Sequence, residues 1–104
     1  MSEKTFNGQT VEVDADGYLV DSTQWTEDIA SAIAAELDIA LTDEHITVIT
    51  YMRNEFAGSG ACPTLRRIGK KSGVDTKGLY SLFPDGPVKK AAMIAGLPKP
   101  KSCV

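Results

Sequence analysis

The sequence predicts a mostly α-helical fold: an N-terminal β-hairpin on a helical bundle, with a helix-turn-helix-like segment and a C-terminal arm. Three observations predict it. Asn7-Gly8 lies between two short β-prone runs near the start, and this dipeptide is the strongest two-residue hairpin signal. From about residue 26 onward apolar residues recur at helical spacing, in stripes punctuated by capping residues, glycine and proline. The chain then closes on Gly96-Leu97-Pro98-Lys99-Pro100-Lys101-Ser102-Cys103-Val104, which has two prolines and no apolar stripe.

Each element follows from local chemistry. Thr5 and Phe6 lead into the Asn7-Gly8 turn, and Thr10, Val11 and Val13 alternate on the far side. A second turn at Asp14-Ala15-Asp16-Gly17 is followed by Tyr18-Leu19-Val20, read as a resumed strand, so the hairpin region spans 4–20. Thr26 is a suitable N-cap, with Glu27 and Asp28 placed well against the helix dipole. Ile29, Ile33 and Leu37 mark the buried stripe of that helix, and Trp25 just before it reads as a core anchor. Thr42 caps a second helix whose inner face reads as Ile46, Ile49, Met52, Arg53 and Phe56, ending at Gly58-Ser59-Gly60. Pro63 is expected to open a short third helix in its first turn. Gly73 ends that helix, Val74-Asp75-Thr76 starts the next, and Pro84 stops it. The last helix runs from Pro87 or Val88 to about Ala95, with Val88, Ala91, Ala92 and Ile94 apolar and Gly96 as its cap. The helical body is thus 26–95 and the arm 96–104.

A chain of 104 residues fits one domain, 1–104. At that size roughly two-thirds of the unfolded surface is buried, enough for a core without staples. No apolar run approaches a membrane span and no signal-peptide pattern follows Met1-Ser2-Glu3-Lys4, so a cytoplasmic protein is expected. The net charge of −3 conceals an asymmetry. Residues 1–61 carry twelve acidic and two basic side chains, whereas 62–104 carry two acidic and nine basic. The basic half is a candidate contact surface for an acidic partner, nucleic acid included.

The candidate chemistry is sparse. One histidine and two cysteines 41 residues apart, without a C-x-x-C, argue against a metal site and against a structural disulfide. His45 has no triad partners and reads as a surface or half-buried side chain. Cys62, just before Pro63, reads as a small buried hydrophobe rather than a reactive thiol. Residues 63–83 form a helix, glycine turn and helix with basic residues on both. A helix-turn-helix DNA-binding regulator with a redox-sensing C-terminal cysteine is therefore the alternative function, although the second helix lacks Arg, Asn and Gln. Cys103 stands apart. Lys99 and Lys101 favour its thiolate, the Val104 carboxylate opposes it, and a thiol pKa of ~8.5 is the neutral expectation. The eight residues from Ala95 to Cys103 reach on the order of 25 Å at full extension. Pro98 and Pro100 lower the ordering cost of entering a pocket. On physics alone, an incidental cysteine on a tail stands almost level with a presented thiol.

Leu79-Tyr80-Ser81-Leu82-Phe83-Pro84-Asp85-Gly86-Pro87, then Ile94-Ala95-Gly96-Leu97-Pro98-Lys99-Pro100 and a penultimate cysteine, resemble the DsrC/TusE/DsvC family. That family comprises the gamma protein of dissimilatory sulfite reductase and related sulfur-relay proteins. Asp16-Gly17-Tyr18-Leu19, Trp25, Thr42-Asp43-Glu44-His45 and Pro63-Thr64-Leu65-Arg66 fall in family order, so the resemblance covers nearly the whole chain. It implies a hairpin on a helical body with a mobile arm, and a covalent sulfur carrier or relay component rather than a self-contained enzyme. Cys103 would carry sulfane sulfur as a persulfide, with no cofactor beyond that sulfur. Arg66 matches a family arginine near the docked arm, and with Lys99 and Lys101 it would supply the thiolate environment and partner docking. The implied partners are donor and acceptor proteins of the DsrEFH/TusBCD or dissimilatory sulfite reductase type. A monomer is expected, with Cys103-linked dimers in air. Two features depart from one branch or another. Sulfite-reducing members have a second arm cysteine at the position of Ala92, which favours a single-thiol relay. The short segment between Arg66 and Tyr80 is instead like the sulfate-reducer form.

Overall fold

The computed structural model of the chain describes residues 2–6, 8–60 and 62–98. Strands β1 (Ser2–Phe6) and β2 (Gln9–Val13) form an antiparallel two-stranded sheet. The register pairs Phe6 with Gln9 and Ser2 with Val13, and Gly8 takes a φ of 84° in the turn. Phe6, Val11 and Val13 face the core, as the alternation requires. The expected return strand at 18–20 is a correction: it shrinks to one bridge, Val13 to Leu19. The Asp14 carboxylate accepts from the backbone N–H groups of Asp16 and Tyr18 and holds the chain in a tight turn rather than a ladder.

Five helices follow among the described residues, so the architecture is mostly α. They are α1 (Glu27–Glu36), α2 (Asp43–Ser59), α3 (Leu65–Lys71), α4 (Thr76–Leu82) and α5 (Pro87–Ile94). A 3-10 turn at Ser22–Gln24 precedes α1. Thr26 caps α1 by accepting from the Ile29 N–H at 3.2 Å. Its hydroxyl also donates to Gln9, and Lys4 pairs with Glu36, so the hairpin is tied to α1 at both ends. Thr42 caps α2. The cap of α3 is Thr64, whose side chain accepts from Arg67, so Pro63 stands before the helix rather than in its first turn. The hydroxyl of Thr64 competes successfully for the capping position because it can reach an orphan N–H and proline cannot. Asp75 caps α4 by accepting from Gly78 at 2.7 Å.

The inner face of α2 is rotated from the expected one. His45, Val48, Ile49 and Met52 are buried, while Ile46 is exposed. Helix α5 is the central element, buried along Pro87, Val88, Ala91, Ala92 and Ile94 and packed against both α1 and α2. Its two alanines allow the close approach that a bulkier pair would prevent.

Candidate functional site

The C-terminal end of α5 is held by a complete set of hydrogen bonds. The last carbonyls of a helix have no partner within it and must find one elsewhere. Ala91 O accepts from the Ala95 N–H, Met93 O from Gly96, and Ala92 O from Leu97, at 2.8, 3.2 and 3.0 Å. The last two bonds, with Gly96 left-handed at φ 72°, make a Schellman motif. Two carbonyls remain. The Trp25 indole N–H donates to Ile94 O at 2.7 Å, and Arg53 Nη1 donates to Ala95 O at 2.7 Å.

Arg53 does more than cap. Its Nη2 donates to Ser22 O at 3.2 Å, and its guanidinium lies 4.2 Å from the centre of the Trp25 ring. One side chain therefore joins α2, the turn before α1 and the end of α5, with the indole as its floor. A guanidinium over an indole face is attracted by the ring quadrupole, the more so where water is thinned. Burial pushes the Arg53 guanidinium below its ordinary value. Among the described residues no carboxylate pairs with it; its described partners are carbonyls and a π-face.

Gly96 is the position where this arrangement is tightest. A Cβ there would lie 2.4 Å from Trp25 Cδ1 and 2.7 Å from both Cβ and Cγ. Gly96 and Leu97 are fully buried. The first two residues of the segment expected as an arm thus belong to the packed body, and Pro98, the last described residue, is half-buried.

The sequence-predicted site residues lie in different places. Cys103, Lys99 and Lys101 lie outside the described residues. Arg66 is exposed on the first turn of α3 and has no partner among the described residues. Its neighbour Arg67 is the one in an ion pair, with Glu55 of α2, and that carboxylate holds the Arg67 guanidinium above its ordinary value. Ala92, the position of a second thiol in some relatives, is wholly buried in α5.

Cys62 is packed against the core, and burial pushes its thiol from an ordinary 9.0 up to about 11. Such a thiol is almost entirely protonated at neutral pH and is a poor nucleophile. His45 is buried rather than half-buried. Its Nδ1 accepts from the Thr42 N–H at 3.1 Å, and its Nε2 donates to Leu82 O at 2.8 Å. The ring also meets Phe83 edge-on at 5.0 Å. Both nitrogens are engaged in joining α2 to the end of α4, which is structural work. A shallow pocket of about 220 Å³ opens beside it, lined among others by Asp38, Ser81 and Pro84.

The clamp of Trp25 and Arg53 was not predicted as a site. The signal was an isolated cation: Arg53 is one of two basic residues in the first 61 and falls within an apolar stripe of α2.

Comparison with known proteins agrees with this architecture. The model of the family described as DsrC like protein matches residues 5–104. The sulfurtransferase TusE of Pectobacterium atrosepticum is 41% identical over 107 residues, covering 95% of this chain and 97% of that protein. The sulfurtransferase TusE homolog of Haemophilus influenzae is 45% identical over 105 residues, covering 94% and 96%. Among solved structures, the oxidized gamma-subunit of the dissimilatory sulfite reductase (DsrC) from Archaeoglobus fulgidus superposes with a TM-score of 0.84 at 36% identity, covering 99% of this chain and all of that one. No helix among the described residues is long and apolar enough to cross a membrane.

Proposed function

This chain belongs to the DsrC-like protein family, and from that membership we propose that it is a sulfur relay protein whose working thiol is Cys103. The observation that carries the reading is the anchored exit of the C-terminal segment. The body grips the chain as far as Leu97, and the penultimate residue beyond it is a cysteine. The other thiol, Cys62, is disfavoured by burial.

The chemistry is thiol-to-thiol exchange. The Cys103 thiolate attacks the outer sulfur of a donor persulfide. A Cys103 sulfur–sulfur bond forms, the donor's sulfur–sulfur bond breaks, and the donor departs as a thiolate. An acceptor thiolate then attacks the outer sulfur on Cys103 and releases the Cys103 thiolate. Each step passes one sulfane sulfur without net oxidation. No cofactor enters. The cations of Lys99, Lys101 and Arg66 favour the thiolate and persulfide forms and suit an acidic docking surface on a donor or acceptor protein.

Ala92 supports a single-thiol relay over a cycle that needs two thiols on one segment. The higher identity to the TusE sulfurtransferases than to the DsrC structures supports the same side. The chain is incubated with inorganic polysulfide and its intact mass is measured. The expected result is the mass of one added sulfur, absent in Cys103→Ala and removed by dithiothreitol. An adduct retained in Cys103→Ala, or no adduct in the wild type, refutes the reading.

A further inference from the structure

We propose that Arg53 and Trp25 are positioning residues that fix the point and direction in which the C-terminal segment leaves the body. The inference rests on the reading of Cys103 as the working thiol, and it assigns to two residues of the body a share in delivering that thiol.

Three observations carry it. Trp25 and Arg53 take the Ile94 and Ala95 carbonyls, the two in the last turn of α5 that the Schellman motif leaves free. They come from different elements, so the end of α5 is referenced to the turn before α1 and to the middle of α2. Arg53 also bonds Ser22 O and covers the indole, which locks the two clamp residues to each other. Gly96 is seated so closely on Trp25 that no side chain fits between them. The backbone at the exit therefore has one place to be.

Neutral water or a simple cap would satisfy two carbonyls as well. A guanidinium half-removed from water, with no carboxylate partner among the described residues, is an expensive way to do so. What the fork adds is direction: its planar, fixed donors hold two carbonyls on separate elements in one geometry, which a water molecule or an ammonium cannot do. Direction matters because the backbone at Leu97 sets the starting point of the segment that carries Cys103. From Pro98 to Cys103 the chain extends at most roughly 16 Å. A tilt of about 30° at its base would carry the far end by about 8 Å at that extension, more than a thiol exchange tolerates between its reacting atoms.

The test uses the single tryptophan as a built-in donor. The full chain carries an acceptor dye on Cys103, in a Cys62→Ser background, and time-resolved transfer from Trp25 to the dye gives a distance distribution. The unlabelled lifetime of each variant serves as its own reference, because removing a cation from the ring alters the emission itself. Arg53→Ala is expected to broaden the distribution and shift its mean, and Arg53→Lys to restore it in part, since one donor and the charge remain. Val48→Ala, which removes buried volume elsewhere on α2, supplies a destabilised control and is expected to leave the distribution unchanged while folded. The proposal is overturned if Arg53→Ala matches the wild type, or if Val48→Ala shifts the distribution as far. Polysulfide loading of the unlabelled wild type is measured separately. Its failure would sink the relay reading while the transfer data still decide whether Arg53 positions the exit.

Discussion

Gly96→Ala is the sharpest single perturbation of the clamp. Two costs are added at once. An L-residue at φ 72° carries a penalty of roughly 1–2 kcal/mol. The new methyl would also sit 2.4 Å from Trp25 Cδ1, inside any real carbon–carbon contact. The indole cannot swing aside without giving up its bond to Ile94 O and its stacking with Arg53. Overpacking against a pinned group costs about 1–3 kcal/mol. The reduced freedom of the unfolded chain returns about 0.4–1 kcal/mol. The net loss is about 1–4.5 kcal/mol, centred on about 3 kcal/mol, or on the order of 10–20 °C in Tm for a domain of this size. Gly60→Ala is the matched control: its φ is 75°, yet nothing lies within 4 Å of the added carbon. It is expected to lose about 1 kcal/mol. Urea unfolding followed by circular dichroism measures both. A Gly96→Ala loss no larger than that of Gly60→Ala would show that the indole is not held where the clamp requires it.

Three further outcomes follow from two groups outside the clamp, the partly buried Cys62 and the buried His45. The Cys62 thiol is raised from 9.0 to about 11 by burial, so the folded chain retains a proton that the unfolded chain releases. Its contribution to stability is full below about pH 9 and is lost as pH rises from there through about 11. Cys62→Ser should flatten that part of the wild-type decline in urea titrations, and identical slopes would place the thiol in water. At neutral pH the same shift leaves about a hundredfold less thiolate than an ordinary thiol, so brief iodoacetamide treatment followed by peptide mapping should mark Cys103 and spare Cys62. His45→Ala removes the ring that joins Thr42 to Leu82 and packs on Phe83. It should cost about 2–4 kcal/mol in the same unfolding assay, and a loss below about 1 kcal/mol would mean that solvent replaces both hydrogen bonds.

Most element boundaries were legible because their causes are local. Thr26, Thr42 and Asp75 announce helix starts within three residues of the N–H groups that such side chains satisfy, and the structure places the helices after each. The errors arose where two local signals competed or where a distant partner decided. Pro63 and Thr64 both suit a helix start, and the capping oxygen prevails. Ile46 and Val48 both suit an inner face, and the rotation of α2 is set by His45 reaching Leu82 across 37 residues, which drives Ile46 outward. The expectation that the penultimate cysteine is the working thiol comes from the family resemblance, not from periodicity or spacing, and Cys103 lies outside the described residues.

The clamp illustrates what a linear pattern withholds. Trp25 and Arg53 meet carbonyls 69 and 42 residues away, and a backbone carbonyl has no identity in a sequence. What the sequence does contain is an inconsistency: a lone arginine in an acidic stretch, on the stripe of a helix that otherwise turns apolar side chains inward. Burying a guanidinium costs free energy unless acceptors await it. A helix end with two free carbonyls offers such acceptors, the helix dipole adds to their attraction for a cation, and α5 is the helix whose end lies next to the sole indole. An isolated cation on an apolar stripe is therefore evidence that some helix terminus must come to it, and here the terminus is the one from which the cysteine-bearing segment departs.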